Sequence, residues 1–328
     1  MHPIRVGLIG TGYAAKVRAE SLQADPRSQL IAVAGHTIEK AQSFGESYGA
    51  EAADWAKLVD RSDVDLMVIA TINRDHGLMV RAALQAGKHV VVEYPLALSF
   101  SEAESLIQLA QQQNRLLHVE HIELLSGIHL AIRNSLPAIG TPFYVRYTNL
   151  MAQRPAPQKW TYSREQFGFP FVGAVSRIHR LTDLFGQVAT VSCQADWESS
   201  TDEQDQFTTC LCTAQLRFMS GLVAEVVYGK GEAIWQSNRT LEIHGQQGGI
   251  LIDGEQGTLI TAEQTQTLDM GSRRGLFAKD TAMVLDHLTT GTPLYVSSAA
   301  SLYALKVADA AGRSAELGQT VALEDVIH

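Results

Sequence analysis

A glycine-rich run near the start of the chain has the spacing of a dinucleotide-binding turn. Residues 10–15 read Gly-x-Gly-x-x-Ala, directly after a β-rich run and at the start of a helical stretch. In such a turn the first glycine permits the tight bend, the second lets the backbone approach a pyrophosphate, and the alanine allows close helix–strand packing. The helix N-terminus then faces the anion. The residues predicted to bind the cofactor here are Gly10, Thr11, Gly12, Tyr13 and Ala15.

The end of the second predicted strand indicates which nicotinamide cofactor fits. Sites that prefer NAD usually place an acid there, about 20 residues after the glycine run, to bind the ribose hydroxyls. This chain has Gly35, His36 and Thr37 instead. An acid at this strand end would repel a 2′-phosphate, and this chain has none there. NADPH is therefore the predicted cofactor and NADH the weaker alternative. His36 and Thr37 are the predicted phosphate ligands, while Lys40 is either a third ligand or a solvated helix residue.

A further group of candidate cofactor ligands follows the next strongly apolar run, at residues 66–70. Thr71, Ile72 and Asn73 come first, and His76 lies in the same segment. Open parallel sheets bind their ligands beyond the carboxyl ends of the strands. These residues are therefore predicted to line the nicotinamide half of the cofactor site, with helix capping as the alternative for His76.

Two histidines and two glutamates cluster after a later strand. His118 and His121 lie beside Glu120 and Glu123. The order differs from the helical H-E-x-x-H arrangement of zinc enzymes, so no metal site is predicted. His118 and His121 are interpreted as substrate-pocket residues that hydrogen-bond or position water, with purely structural histidines as the alternative.

Arg177 and Arg180 lie three residues apart on a predicted helix, and therefore on one face of it. The surrounding stretch, residues 169–185, is otherwise apolar. Two interpretations are open: the arginines bind an anionic substrate, or they form a surface ion-pair face or pair structurally with Asp183.

The secondary-structure pattern that positions these residues changes once along the chain. Up to about residue 120, β-rich runs at 4–9, 30–34, 66–70, 89–92 and 116–119 alternate with helices, which indicates a parallel sheet. Beyond about residue 143, long alternating strands are predicted at 143–151, 189–197, 208–218, 222–228 and 240–244, and helices near 172–185, 277–290 and 298–315. The predicted fold is an α/β Rossmann domain (1–121) followed by an α+β domain with a large, mainly antiparallel sheet (122–328). The pattern leaves open whether the C-terminal helices pack back on the N-terminal domain.

Composition narrows the class of partner. A net charge of -9 argues against nucleic acid, which requires a clustered excess of Lys and Arg. No apolar run approaches the length of about 20 residues that a membrane helix needs, and the first strand starts too early to leave room for a signal peptide. Cys193, Cys210 and Cys212 contain no CxxC pair and are interpreted as buried packing residues of a reducing, cytoplasmic compartment.

The run Val92-Glu93-Tyr94-Pro95 resembles the Glu-Lys-Pro motif of the Gfo/Idh/MocA family of NAD(P)-dependent oxidoreductases, and the resemblance covers essentially the whole chain. In the family's sugar and polyol dehydrogenases the Lys helps move the hydroxyl proton, and an Asp-x-Gly-x-His-x-x-Asp run supplies further acid–base groups. Here Tyr94 replaces the Lys, and Ser176 and Arg180 stand at the Asp and His positions. Because neither Ser nor Arg can act as a base near neutral pH, a sugar alcohol substrate is disfavoured.

Within this family the Glu-Tyr-Pro variant resembles the cyanobacterial branch of the biliverdin reductases. The resemblance implies NADPH-dependent reduction of biliverdin IXα to bilirubin IXα, by hydride transfer to the central methine bridge, which is oxidoreductase chemistry on a CH–CH type bond. It also implies that Glu93 contacts the cofactor. The similar runs are residues 10–15, 70–73, 92–98, 118–125 and 271–277.

A bilin is a flat tetrapyrrole with two propionates, so its site needs apolar walls and cationic groups. Because Arg180 occupies the family's catalytic His position, the substrate interpretation of the two arginines is favoured. Arg177 is the predicted aid to protonation, by stabilising developing charge, binding a propionate or relaying a proton through water, and Tyr94 the second catalytic candidate, with a structural tyrosine as its alternative. Further candidates for the propionates are Arg154, Arg239, Arg273 and Arg274.

Two other functions remain alternatives. One is a sugar or polyol dehydrogenase of the same family. The other is a non-catalytic NAD(P)-sensing regulator, which would also lack the catalytic Lys, Asp and His. The sequence is compatible with a monomer or a dimer, because an open sheet face is either covered by another subunit or left exposed.

Overall fold

The computed structural model describes residues 2–199, 205–272 and 274–323, so the candidate Arg273 lies outside the described residues. The chain divides into two compact units. The first comprises Met1–Ile122 together with Arg274–Leu302, and the second Glu123–Arg273 together with Tyr303–His328. A segment near the end of the chain thus belongs to the first unit.

The first unit contains a parallel sheet of six strands in the order β3-β2-β1-β4-β5-β6. The strand Leu66–Ile69 is buried along its whole length, as expected for a central strand covered on both faces. The elements are β1 (Ile4–Ile9), α1 (Tyr13–Ala24), β2 (Ser28–Ala34), α2 (Ile38–Tyr48), β3 (Glu51–Ala52), α3 (Trp55–Val59), β4 (Leu66–Ile69), α4 (Asn73–Gln85), β5 (His89–Val92), α5 (Phe100–Gln112) and β6 (Leu117–Val119).

The second unit is built on a nine-stranded sheet in the order β14-β13-β12-β11-β7-β10-β9-β8-β15. Buried and less buried residues alternate along its long strands, for example in Thr209–Phe218. The elements that follow β6 are α6 (Gly127–Ser135), β7 (Pro142–Ala152), α7 (Arg164–Phe167), α8 (Pro170–Gly173), α9 (Ser176–Phe185), β8 (Val188–Glu198), β9 (Thr209–Phe218), β10 (Val223–Gly231), β11 (Asn238–Gly245), β12 (Gly248–Asp253), β13 (Gln256–Thr261), β14 (Thr265–Leu268), α10 (Leu276–Thr290), α11 (Ser298–Leu317) and β15 (Val321–Ala322).

The predicted fold class is confirmed, with two differences of detail. The large sheet is mixed, because β7 and β10 pair in parallel while its other pairs are antiparallel. The single helix predicted near 172–185 is two helices, α8 and α9. The start of α9 at Ser176 still places Arg177 and Arg180 on one helix.

The three cysteines are buried free thiols, as the sequence predicts. Cys193 on β8 and Cys212 on β9 bring their sulfur atoms to 3.5 Å, and burial raises the pKa of the Cys210 thiol to about 11. Among the helices within the described ranges, none combines the length and the apolar character needed to cross a membrane.

Candidate functional site

The glycine-rich turn between β1 and α1 has the geometry of a pyrophosphate cradle. Gly10 has a φ of +133°, and a Cβ there would collide with the carbonyl oxygen of Ala70. A Cβ on Gly12 would meet no protein atom within 4 Å. Gly12 is the N-cap of α1 without a side-chain cap, and the first turn of α1 contains no acid. Open space beside uncapped N–H groups at a helix N-terminus fits a dinucleotide pyrophosphate.

Beside this turn, the two predicted phosphate ligands have different surroundings. His36 and Thr37 are both exposed after β2. Thr37 is the N-cap of α2, and its Oγ1 accepts a hydrogen bond from the Lys40 amide at 3.3 Å. The Thr37 hydroxyl also helps to hold the pKa of Glu39 below its usual value, after the Glu39 backbone amide. Thr37 is therefore already engaged by its own helix, and His36 stays the predicted ligand with fewer local ties.

His76 joins two strand ends. It is buried, with Nδ1 at 2.8 Å from the Pro95 carbonyl oxygen and Nε2 at 3.3 Å from that of Thr71. Burial lowers the pKa of His76, so the ring is neutral and has one N–H to donate. The histidine holds together the turns after β4 and β5, which contain Thr71, Ile72 and Asn73 on one side and Glu93 and Tyr94 on the other.

A buried ionic network that the sequence did not reveal lies behind these turns. Arg18 on α1 donates through Nε to Glu93 at 2.9 Å and through Nη1 to Asp280 on α10. His118 donates through Nε2 to Asp280 at 2.8 Å. The side chains of Arg18, His118 and Asp280 are at most 2% exposed. Burial alone would raise the pKa of Asp280, but Arg18 and His118 outweigh it and keep that pKa well below its usual value.

Tyr295 extends this network to the turn after β6. Its hydroxyl donates to Asp280 Oδ1 at 2.8 Å and accepts from the His121 amide at 3.0 Å. Burial and the charge on Asp280 raise the pKa of Tyr295, so it remains protonated. Burial and the nearby charge on Glu93 likewise raise the pKa of Glu120. The network therefore fixes the backbone of the segment that contains His121.

Tyr94 and His121, both predicted site residues, stack on each other. Their ring planes differ by 4° with centroids 5.8 Å apart, and His121 Nε2 shares a hydrogen bond of 2.8 Å with Ser301 Oγ. His118, by contrast, points its ring at Asp280 inside the network. The structure thus places His121 beside Tyr94, and its contacts favour a positioning role for His118 over direct contact with substrate.

In the second unit, Arg177 and Arg180 lie over aromatic rings of the large sheet. The Arg177 guanidinium is 5.8 Å from the Tyr228 ring centroid, and that of Arg180 is 5.8 Å from the Tyr147 centroid. Arg180 also donates to the Tyr147 hydroxyl at 3.1 Å and to Glu123 at 2.8 Å. α9 therefore holds two cations against β7 and β10, and Glu123 is the carboxylate partner of Arg180.

Asp183, the proposed structural partner of these arginines, has other neighbours. It accepts hydrogen bonds from His129 and Arg133 on α6. Burial alone would raise the pKa of Asp183, but these two partners lower it to about 2. The ion pair thus ties α9 to α6, and Arg180 pairs with Glu123 instead.

Three further arginine candidates, Arg154, Arg239 and Arg274, lie in the described residues. Arg154 lies 3.7 Å from the Trp235 ring centroid and donates to the Ile234 carbonyl. Arg239 is exposed on β11. Arg274 is exposed and belongs to the first unit. Each stays a prediction for propionate binding.

Lys230 is a buried cation that the sequence did not single out. Its Nζ lies 3.7 Å from the Phe167 ring centroid and 4.9 Å from that of Tyr162, and it donates to the Thr161 carbonyl. Burial lowers the pKa of Lys230 to about 8, and the charge on Arg177 acts in the same direction. Only its position in a strand of alternating apolar residues could have indicated that it is buried.

Within the ranges that the structure describes, no group of three or more His, Cys, Asp or Glu side chains is arranged to hold a metal ion.

Comparison with known proteins agrees with both units. Residues 4–121 match the NAD-binding Rossmann fold of the Gfo/Idh/MocA oxidoreductase family, and residues 137–323 match its C-terminal alpha/beta domain. The crystal structure of biliverdin reductase from Synechocystis sp. PCC 6803, in complex with biliverdin and NADP+, has a TM-score of 0.93 and 50% identity, covering 96% of this chain and 99% of that one.

Two curated relatives represent different substrate classes. Mouse biliverdin reductase A is 29% identical over 75% of this chain and 77% of its own length. Myo-inositol 2-dehydrogenase of Thermotoga maritima is 24% identical over 99% of this chain and 100% of its own length.

Proposed function

Because the chain belongs to the Gfo/Idh/MocA oxidoreductase family, with a Rossmann unit that binds a nicotinamide dinucleotide, we propose that it reduces biliverdin IXα to bilirubin IXα with NADPH. The observation that carries the proposal is the similarity to the Synechocystis enzyme in complex with biliverdin and NADP+, which extends over 96% of this chain at 50% identity. The cation–aromatic pairs of α9 add a local reason, since a bilin offers both a π-surface and carboxylates.

The reaction needs a hydride and a proton. The reduced nicotinamide, when bound, supplies the hydride to the central methine carbon, and a pyrrole nitrogen takes up the proton. Gly10 allows the tight turn and Gly12 leaves room for the pyrophosphate, and His36, exposed after β2, is our candidate ligand for a 2′-phosphate. His76 and the Arg18–Asp280 network hold the turns that contain Glu93 and Tyr94.

We assign residues to parts of the bilin from their charge and from the aromatic rings beside them. Arg177 and Arg180 are cations held at aromatic faces, so they suit propionates and negative charge that develops on the tetrapyrrole. Arg177 is unsuited to act as a free acid, because a guanidinium does not release its proton near neutral pH. We therefore assign it charge stabilisation or proton relay through water, and assign Tyr94 and His121 to the reacting region.

The Tyr94 and Arg180 positions argue against the polyol alternative. A polyol dehydrogenase needs a group that accepts the hydroxyl proton near neutral pH. A phenol and a guanidinium both keep their protons near neutral pH, so neither Tyr94 nor Arg180 supplies such a base. The proposed location is the cytoplasm, where buried free thiols such as Cys193, Cys210 and Cys212 stay reduced.

An absorbance assay with purified protein, NADPH and biliverdin IXα tests the proposal. We expect the long-wavelength biliverdin band to fall while the bilirubin band rises, with one NADPH consumed per bilirubin formed. Myo-inositol with NADP+ serves as the parallel substrate. Turnover of the polyol alone would establish the dehydrogenase alternative, and NADPH binding without turnover of either substrate would indicate the regulator.

A further inference from the structure

One face of the large sheet collects the side chains that meet α9. Alternation along β7 puts Val145, Tyr147 and Asn149 on the same side, and all three are buried. The parallel pairing of β7 with β10 sets Tyr228 directly beside Asn149. Asn149 therefore shares a face with both aromatic rings over which the α9 arginines lie.

Asn149 is a polar exception on this face. Its side chain is 2% exposed, and its Oδ1 atom is buried with no hydrogen-bond partner among the described residues. Leaving a buried acceptor unsatisfied is destabilising, because no hydrogen bond compensates for its lost hydration. Such groups are few in folded proteins, and each calls for an explanation such as a ligand or an ordered water.

The residues around Asn149 indicate which kind of chemical group its oxygen could bind. Arg180 reaches Tyr147 and Glu123, and Arg177 lies over Tyr228. These cations suit the carboxylates of a ligand. An orphan acceptor needs a hydrogen-bond donor, and an ionised carboxylate has none to offer. The part of the ligand that donates to Asn149 is therefore different from the carboxylates that suit the arginines.

We propose that the Asn149 carboxamide is the subsite for a terminal lactam ring of the bilin. This inference rests on the proposed function and deepens it. A lactam presents an N–H donor beside a C=O acceptor, and a carboxamide presents the complementary pair, so the two form a pair of hydrogen bonds. The Asn149 oxygen accepts from the lactam N–H, and its NH₂ group donates to the lactam carbonyl.

The test is Asn149→Leu, which keeps the branching at Cγ and the number of side-chain heavy atoms and removes the amide. Steady-state kinetics are measured with biliverdin IXα and with its dimethyl ester, together with the melting temperature. We expect kcat/KM to fall about 10-fold with both bilins, because the lactam loses its partner. The KM for NADPH stays unchanged. Tm rises by about 2 °C, because an unsatisfied buried group is gone.

The matched control is Thr148→Val, the neighbouring residue on the opposite face of β7, which removes a polar group without touching the subsite. Asn149→Ser is the second variant if Asn149→Leu does not fold. It keeps a smaller hydroxyl, and an intermediate loss of kcat/KM is expected.

Three results would overturn the proposal. A lower Tm with unchanged kinetics would show that Asn149 serves the fold, for example through an ordered water. A loss seen with the free acid and absent with the ester would place a propionate at Asn149. If the wild-type chain reduces no bilin, the proposed function fails by itself. The subsite is then tested by titrating the protein with biliverdin and following the visible absorbance band. Equal affinity of wild type and Asn149→Leu, including no binding by either, overturns the subsite proposal.

Discussion

The two units surround their buried cations with different partners. In the first unit, Arg18 and His118 meet Asp280 and Glu93 in a network closed by short hydrogen bonds. In the second, Arg177 and Arg180 lie over aromatic rings, and Lys230 lies among phenyl and phenol rings. Charges that pair with each other hold backbone segments in place, and a cation over an aromatic ring gains a further electrostatic attraction from the ring face.

The difference in partners affects which backbone segments the charges hold. The first network joins α1, β5, β6 and α10, so it orients the turns that contain Tyr94 and His121. In the second unit, Arg180 pairs with Glu123 and lies over the Tyr147 ring, and the Asn149 Oδ1 atom is buried with no hydrogen-bond partner among the described residues.

The largest expected effect comes from opening the closed network. Asp280→Asn leaves Arg18 and His118 buried beside a neutral amide, and breaking a buried ion pair from one side costs about 3–5 kcal/mol. Urea unfolding should show this loss. Asp286→Asn, on the same helix and paired with Arg27 at the surface, should cost less than about 1 kcal/mol. Equal losses for the two variants would refute the contrast.

Lys230 should make the second unit more stable as pH rises. Its folded-state pKa of about 8 lies below the usual 10.5, so between these values the unfolded chain binds more protons and the free energy of unfolding increases with pH. The increase attributable to Lys230 is about 3 kcal/mol. Denaturant titrations of wild type and Lys230→Met from pH 7.5 to 10.5 should differ by this slope. Parallel curves would contradict the buried environment of the ammonium group.

Removing a cation from the aromatic face should affect bilin chemistry more than stability. For Arg177→Ala, kcat/KM for biliverdin is expected to fall about 10- to 100-fold, which corresponds to about 1.4–2.7 kcal/mol. The KM for NADPH should stay constant. Arg146→Gln, on β7 and paired with Glu242 at the exposed surface, is the control and should retain wild-type rates. An unchanged kcat/KM of Arg177→Ala for biliverdin would show that Arg177 does not contribute to the site.

The smallest expected effect separates cofactor binding from folding. Gly12→Ala adds a Cβ that meets no protein atom within 4 Å, so Tm should stay unchanged while the KM for NADPH rises about 10-fold through crowding of the pyrophosphate. Gly49→Ala provides the reverse control. Its φ of +67° is unfavourable for alanine, so Tm should fall while the KM stays constant. The same response of both variants would mean that Gly12 serves the fold alone.

Much of the scaffold was predictable because it depends on local pattern. The bounds of β1 and β5 match the predicted runs, and α10 and α11 begin within one residue of the prediction. β3 and β15 were missed because strands of two residues show no periodicity. β12, β13 and β14 were also absent from the predicted strands. The parallel pairing of β7 and β10 was also missed, since a strand's alternation does not reveal the direction of its neighbour.

The sequence by itself determined the glycine turn, the order of the two units' elements and the single helix face shared by Arg177 and Arg180, because spacing along the chain controls each of them. Only the tertiary structure decided which charges meet. Arg18 and Asp280 are 262 residues apart in the chain, and Asn149 is buried beside Tyr228 through strand pairing. Ion pairs and orphan acceptors depend on distances across the fold, and no periodicity in the sequence reports them.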